Sequence, residues 1–271
     1  MAELNHKPFQ IMGIVNVTPD SFYDGGRYDS VDAAVEHARR LINAGADILD
    51  IGGASSRPGA QLVKPREECR RVIPVVEALA REFSGPISVD TTWSMTARAA
   101  LEAGASWIND ISAGRLDAQM ASVAAEANCS VVLMHSRKTP QTMQIDPRYD
   151  DVTGEVMSEL FTSAQQFMDA GVRKQKIILD PGIGFAKTWE HNLTLLRELD
   201  RIGELGFSLL VGTSRKSFIG KITGREVGER LWGSLATVAS SYFRGARIFR
   251  VHDVKETGDF LKVLTAVEKS V

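Results

Sequence analysis

The chain has 271 residues, 44% hydrophobic and 24% charged, a composition that argues against disorder, collagen-like repeats and coiled coils. Its 32 basic and 34 acidic side chains give a formal net charge of -2, so no overall field attracts nucleic acid or an anionic membrane. Two distant cysteines, no apolar leader and no run near the ~20 apolar residues of a membrane span predict a cytoplasmic protein without disulfides or structural zinc.

Eight short apolar runs rich in Val, Ile and Leu recur along the chain, and we interpret each as a β-strand. They lack strict alternation, which is typical of strands covered on both faces and favours a parallel sheet. The predicted strands are residues 11–17, 47–51, 87–90, 107–111, 131–135, 177–180, 209–212 and 248–252.

The segments between these runs have apolar residues at helical spacing. The first helix is predicted to start at Ser30 as N-cap and to end at Gly45, which suits the left-handed position after a helix. The same helix, glycine and strand order returns at Gly104, Gly171 and Gly245. This repetition predicts one domain over residues 1–271, a single (β/α)8 TIM barrel at about 10–268, with an open doubly wound sheet as the alternative.

Each predicted strand has a polar residue or a glycine at its carboxyl end. Active sites of such barrels lie at the carboxyl ends of the strands. These strand-end residues include Asn16, Gly52, Asp90, Asn109, His135, Asp180, Gly212 and Arg250. Because an unpaired buried polar group costs about 1–3 kcal/mol, a ligand is the simplest partner for so many. The alternative is that individual members cap helices or bond to one another in a polar layer. Asp180 in particular could be an N-cap, and Asp110 could simply orient its neighbours.

Ordered motifs at these strand ends resemble the dihydropteroate synthase family. They are residues 12–22, 50–53 with 55–59, 88–91, 108–110, 133–135, 179–185, 214–217 and 250–253. Any one of them is weak evidence, but the ordered set spans nearly the whole chain and is highly specific.

The resemblance implies a transferase of the folate pathway with Mg2+ as cofactor. It would join para-aminobenzoate to 6-hydroxymethyl-7,8-dihydropterin pyrophosphate and release pyrophosphate and 7,8-dihydropteroate. We expect small-molecule substrates and a homodimer, since family members usually dimerise and residues 231–243 offer apolar surface. Departure of pyrophosphate before attack by the amine, without a covalent enzyme intermediate, is the expected route.

The resemblance also assigns the site residues, with catalysis given to Asp180, Lys216 and Arg250. A carboxylate can accept two hydrogen bonds from the aminopyrimidine edge of a pterin, which suits Asp180. The implied pterin-binding residues are Asp90, Asn109, Asp180, Gly212, Lys216 and Arg250.

Pyrophosphate requires positive charge and N–H donors because it gains charge as it leaves. The implied pyrophosphate site is Ser56, Arg57, Arg250 and His252, with the basic groups at one rim opposite Asp90 and Asp180. Asn16 is the implied Mg2+ ligand, joined by Asp20 or Asp24 if the first loop closes. The implied aminobenzoate site is Phe22, Ser56, Pro58, Phe185 and Ser217.

Five positions depart from the family pattern: Tyr23, Ala54, Ser56, Trp93 and Ala186. Most of them border the implied aminobenzoate pocket. A sulfonamide-insensitive enzyme of the same kind is therefore retained as an alternative.

Three other functions also stay open. One is a pterin-binding methyltransferase barrel, which has no use for the pyrophosphate residues. Another is an inactive pterin-binding protein. The third is an aldolase with a Schiff base on Lys216, which we disfavour because we expect Lys216 in an exposed loop where its amine is not desolvated.

Overall fold

A computed structural model describes residues 7–18 and 27–268, with side chains after the gap described from residue 31. Eight parallel strands follow one another around a closed barrel, and β1 pairs with β8 as well as with β2. The strands are β1 Gln10–Asn16, β2 Ile48–Gly52, β3 Ile87–Asp90, β4 Trp107–Asp110, β5 Ser130–Met134, β6 Ile177–Asp180, β7 Ser208–Val211 and β8 Ile248–Val251. The barrel prediction is confirmed, each strand boundary lies within one residue of its predicted position, and the open sheet is excluded.

Ten α-helices connect the strands in the described part of the chain. They are α1 Arg27–Asn43, α2 Pro65–Ala80, α3 Ser94–Glu102, α4 Met120–Glu126, α5 Val152–Asp169, α6 Trp189–Arg197, α7 Leu199–Gly203, α8 Ser217–Thr223, α9 Leu231–Phe243 and α10 Val254–Glu268. The N-cap prediction at Ser30 is wrong because α1 already begins at Arg27. Acidic Asp29, next to Ser30, also suits the first turn of a helix. The preference of Ser for the N-cap position is therefore not enough to predict where this helix begins. None of the helices among the described residues is long and apolar enough to span a membrane.

The four predicted glycine joints are confirmed. Gly45 has a φ of +97°, and the next residue, Ala46, donates its N–H back to the carbonyl of Leu41 at 3.0 Å. Gly104, Gly171 and Gly245 also have positive φ and are followed by the same backward bond. In an L-residue this left-handed conformation is unfavourable, which explains the glycines. These joints lead to the even-numbered strands β2, β4, β6 and β8, directly in the case of β2, β4 and β8.

The lower part of the barrel interior is an apolar cluster of inward-facing residues from seven of the strands. Its members are Met12, Ile48, Trp107, Val132, Ile178, Leu210 and Ile248, each at most 7% exposed. A larger apolar core lies between the strands and the surrounding helices. Among the described residues the lower interior is therefore filled with side chains, which leaves the carboxyl ends of the strands as the place for a ligand.

Candidate functional site

One polar residue from each even-numbered strand forms a layer directly above the apolar cluster. These residues are Asp50, Asn109, Asp180 and Arg250. Each lies two residues beyond an apolar member of the cluster, and alternation along a strand puts both on the inner face. Three of the four follow their joint glycine by five residues, as Asp50 follows Gly45. The repeated joint thus sets the height at which the polar layer appears.

Arg250 lies at the centre of this layer and is bonded to two carboxylates. Its Nε donates to Asp50 Oδ2 at 2.6 Å, and its Nη2 donates to Asp90 Oδ2 at 2.7 Å. Asn109 Nδ2 donates to the same Asp50 oxygen at 2.9 Å. The expected arrangement of basic groups opposite Asp90 is therefore wrong for Arg250, because two buried carboxylates attract the guanidinium across the barrel.

Burial changes the ionisation of the two carboxylates that face the opening. It raises the pKa of Asp180 to about 6, although the Gly182 N–H, Lys216 and Arg250 favour the charged form. Burial also raises the pKa of Asp90 to about 7, with Arg250 opposing and Asp50 adding to the rise. Both groups therefore titrate near neutral pH rather than near 4, as free carboxyls do.

The two alternatives raised for individual aspartates are settled by their contacts. Asp180 Oδ1 accepts from the Gly182 N–H at 2.8 Å, whereas α6 is capped by Thr188, so Asp180 is not its N-cap. Asp110 accepts hydrogen bonds from Ser112 and from the Gly114 N–H at 2.7 Å. It shapes the loop after β4 and does not face the opening with a free carboxylate.

Lys216 lies over the ring of Phe185, with Nζ 4.2 Å from the ring centroid. Burial and the charge of Arg250 lower the pKa of Lys216 to about 8, with Asp180 and Asp90 opposing. The expectation that its amine is not desolvated is wrong, because the loop folds Lys216 back over Gly184 and Phe185. Phe185 itself is 7% exposed and packs with Met134 and Met143. Gly212 directly follows β7 and lies beside Arg250, whose Cβ would be 3.8 Å from an added side-chain carbon at Gly212.

The remaining predicted residues lie at the outer rim. Ser56 is half-buried, and Arg57, Pro58 and Ser217 are exposed, Ser217 being the first residue of α8. His252 is also exposed, with Nδ1 3.1 Å from Ser214 Oγ. Although the residue is exposed overall, partial desolvation of its ring and the positive charge of Arg250 lower the pKa of His252 to about 4. Asn16 is half-buried at the end of β1. Phe22, Asp20, Asp24 and Tyr23 lie outside the described residues.

Two residues of this region had no predicted role. Asp50 is completely buried, and its second oxygen, Oδ1, has no hydrogen-bond partner among the described residues. Its signal in the sequence is an aspartate inside an apolar strand run, five residues after a joint glycine. Lys187 is 2% exposed, and its signal in the sequence is the apolar residues that precede it, among them Ile183 and Phe185.

A cavity of about 310 Å3 opens beside Phe185, on the side of β4 and β5. Ile111, Leu116 and Pro140 give it apolar walls, and Arg115 and Lys138 line it as well. Arg115 donates to the carbonyls of Ser112 and Arg137, and Lys138 donates to the carbonyl of Ile145. Arg115 therefore joins the loops after β4 and β5, Lys138 closes a turn within the loop after β5, and the cavity extends the site next to Phe185.

Comparison with known proteins places the chain among pterin-binding barrels. The sequence model of the family described as pterin binding enzyme matches residues 12–252. A dihydropteroate synthase of Synechocystis sp. is 48% identical over 258 residues, which cover 95% of this chain and 89% of that protein. The solved structure of Xanthomonas albilineans dihydropteroate synthase with 4-aminobenzoic acid has a TM-score of 0.91 at 46% identity, covering 97% of this chain and 94% of that one. The same enzyme in complex with 7,8-dihydropteroate gives 0.88 at 44% identity, with the same coverage.

Proposed function

The chain belongs to the dihydropteroate synthase family of pterin binding enzymes, and from this premise we propose how its residues perform the reaction. It is a transferase of folate biosynthesis, which joins the pterin pyrophosphate to para-aminobenzoate and releases pyrophosphate and 7,8-dihydropteroate. The observation that carries the proposal is the polar layer of Asp50, Asn109, Asp180 and Arg250 above an apolar barrel interior.

In this proposal the pterin ring binds flat on the polar layer. The Asp180 carboxylate accepts two N–H bonds from the aminopyrimidine edge, a planar and charge-assisted pair. Asp90, Asn109, Lys216 and Arg250 contact the rest of the ring system, and Gly212 leaves room for it. Asp50 has a supporting role, since it accepts from both Asn109 and Arg250 and so fixes their orientation.

The carbon–oxygen bond of the substrate breaks first, and both electrons leave with pyrophosphate. The electron-rich dihydropterin carries the resulting methylene cation, which the Asp180 carboxylate stabilises in a site with little water. The aminobenzoate nitrogen then forms the new carbon–nitrogen bond and releases its proton. Arg57, Ser56, Arg250 and His252 receive the pyrophosphate, and its charge favours the protonated form of His252, which is neutral without it.

Aminobenzoate binds on the outer side of the pterin. Phe185 and Pro58 form apolar walls, with Phe22 expected to complete them, and Ser56 lies between the two substrates. Ser217 and the N–H groups of the first turn of α8 donate to the carboxylate, as N–H groups at a helix start do to anions. The neighbouring Lys216 ammonium over the Phe185 ring supports the same side of the pocket.

The residues fit a Mg2+ ion that arrives with the pyrophosphate. No group of three or more His, Cys, Asp or Glu side chains in the described ranges is placed to hold a metal ion. Asn16 offers a neutral amide oxygen, and Mg2+ usually keeps waters and substrate phosphates as its other ligands. When bound, the ion would neutralise charge on the leaving pyrophosphate.

A homodimer is part of the proposal. Trp232 on α9 is 78% exposed and Phe243 at the other end of this helix is 55% exposed. Val263 and Val267 on the adjacent α10 are more than 60% exposed. Large apolar side chains grouped on neighbouring helices are typical of a protein contact surface.

The test is to mix the protein with the pterin pyrophosphate, aminobenzoate and Mg2+ and to measure both products. We expect pyrophosphate and dihydropteroate in equal amounts, and positional oxygen exchange in the substrate pyrophosphate when aminobenzoate is withheld. Lack of dihydropteroate with freshly prepared protein would overturn the function. A covalent adduct trapped by rapid quench would overturn the ionisation-first route alone.

A further inference from the structure

Lys187 is a buried lysine whose three ammonium donors are all used, none of them by a carboxylate. It is 2% exposed and lies in the loop between β6 and α6. Its Nζ donates to the Phe185 carbonyl at 2.9 Å and lies 3.0 Å from His135 Nδ1 and 3.4 Å from the His135 carbonyl. A buried ammonium is costly, so its retention requires a physical reason.

The contacts of His135 define the direction of these bonds. Its Nε2 lies 3.0 Å from Glu159 on α5, so Nε2 carries the proton and donates it to that carboxylate. Nδ1 is then free to accept from Lys187. Burial, with Lys187 as the next cause, lowers the pKa of His135 to about 4, so the ring is neutral near pH 7. A line of hydrogen bonds thus runs from the loop after β6, through the end of β5, to Glu159, which is 40% exposed.

The loop that Lys187 holds starts directly after Asp180, the last residue of β6, and carries Phe185. At Gly182 the φ is +68°, and an added side-chain carbon would lie 2.0 Å from the His135 carbonyl oxygen. The loop therefore packs directly on the end of β5, with Lys187 Nζ only 3.4 Å from the same point. Gly182 also donates its N–H to Asp180. Lys187 thus holds the Phe185 end of this loop by a hydrogen bond and lies beside its Gly182 end.

The charge of Lys187 acts on Asp180 as well. Burial lowers the pKa of Lys187 to about 7, with Asp180 and Glu159 opposing, and Arg137 and Lys216 adding to the decrease. Conversely, Lys187 is among the cations that favour the charged form of Asp180, whose pKa is about 6. Lys187 and Asp180 therefore each favour the charged form of the other.

We propose that Lys187 is a positioning residue of the pterin site, which holds the Asp180–Phe185 loop on the end of β5 and provides the buried positive charge that favours the Asp180 carboxylate. This inference rests on the proposed function, because it concerns the same pterin site. It explains why a lysine is buried where a neutral donor could make the same bond to the Phe185 carbonyl.

The experiment measures binding of 6-hydroxymethylpterin by calorimetry from pH 5 to 9, without turnover. Lys187→Met removes both donor and charge, whereas Lys187→Gln keeps a donor and removes the charge. Lys262→Met, which changes a lysine that is 72% exposed on α10, is the matched control. Glu159→Gln removes a negative charge that favours the protonated form of Lys187. Because Glu159 is 40% exposed, this variant keeps the test available if the variants of buried Lys187 do not fold.

In Lys187→Met we expect pterin affinity to fall about tenfold at pH 7. The midpoint of the loss of affinity on acidification should lie about one pH unit higher than in the unmodified protein. Lys187→Gln should raise this midpoint pH by the same amount, with a smaller loss of affinity at pH 9. Glu159→Gln should raise the midpoint pH by a smaller amount. In turnover, KM for the pterin substrate should rise more than kcat falls. The Lys262 control should match the unmodified protein.

Wild-type pH dependence in variants that fold, as judged by circular dichroism and melting, would overturn the inference while leaving the function intact. Failure of the unmodified protein to bind the pterin would instead overturn the proposed function. A loss of affinity equal at every pH would contradict the charge effect and reduce Lys187 to a packing residue.

Discussion

The two halves of the barrel interior are built from the same strands and have opposite chemistry. In β2, β4, β6 and β8 the lower inward residue is apolar, as Ile48 is, and the next inward residue is polar, as Asp50 is. The lower residues fill space and need no partner. The upper residues are buried polar groups that need partners. Asp50 accepts from both Asn109 and Arg250, whereas Asp180 accepts from the Gly182 N–H and is left for the proposed ligand. A shift of two residues along a strand thus separates a layer that only fills space from a layer that carries the chemistry.

Arg250→Met should give the largest loss of stability and activity, because it removes the central cation of the polar layer. It leaves the Asp50 and Asp90 carboxylates buried without their cation, and removal of one partner of a buried pair costs about 3–5 kcal/mol. Urea unfolding should show this loss, together with loss of dihydropteroate formation. Arg39→Met, which removes an exposed ion pair with Glu82, is the control and should unfold near the wild-type midpoint. Equal midpoints for both variants would contradict the account of the upper half.

Leu210→Ala tests the lower half, where we expect a loss of stability without a loss of chemistry. Leu210 is fully buried in the apolar cluster, and such a truncation costs about 2–5 kcal/mol through lost contacts and a cavity. At a temperature where the variant stays folded, kcat/KM should be within about threefold of wild type, a small transition-state effect. A large loss of activity in the folded variant would show that the two halves are not independent.

Acidification should inactivate the upper half before the barrel unfolds. The pKa values of Asp90 and Asp180 are raised to about 7 and about 6, so the folded chain binds their protons before the unfolded chain does. These two groups therefore make the fold more stable as the pH falls from about 7 towards about 4, where free carboxyls titrate. Glu159 acts in the opposite sense, since its hydrogen bond to His135 lowers its pKa to about 2.

The measurement is a pH profile of kcat/KM beside near-ultraviolet circular dichroism. We expect activity to fall below pH 7 and to be largely lost near pH 5, about one unit below the value for Asp180, with an unchanged spectrum. If activity and spectrum are lost together, unfolding and not carboxylate protonation explains the acid limb.

Gly45→Ala should have the smallest effect of the set. The position has a φ of +97° and open space around a new side-chain carbon, so the change costs only backbone strain of about 1–2 kcal/mol. Thermal melting should show this loss, with unchanged pterin affinity, because the joint sets the register of β2 without contacting the site. A change in affinity would show that this joint positions Asp50 more tightly than proposed.

The architecture could be predicted from the sequence because its signals are local. Apolar runs marked each strand to within one residue, and the glycine joints marked the turns into β2, β4 and β8, as at Gly45. The strand-end residues were also accessible, since a parallel barrel brings all carboxyl ends to one face. Motif order added the identity of the family.

The contacts inside the site could not be predicted because they join distant parts of the chain. Arg250 and Asp50 are 200 residues apart, and only barrel closure brings them to 2.6 Å. The burial of the Lys216 amine could not be predicted for the same reason, since it depends on how the loop after β7 folds over Phe185. The burial of Lys187 was not predicted because a lysine in a loop is usually exposed, even where its sequence neighbours, such as Phe185 and Ala186, are apolar.

The most direct test of the central claim compares binding of 6-hydroxymethylpterin to the unmodified protein and to Asp180→Asn by calorimetry at pH 8. The amide keeps the shape of the side chain but loses its charge and one acceptor, so affinity should fall about 10- to 100-fold, as charge-assisted hydrogen bonds predict. The melting temperature should not fall, because burial disfavours the carboxylate that is removed. Equal affinity of the two proteins would contradict the claim that the upper layer of the barrel binds the pterin through Asp180.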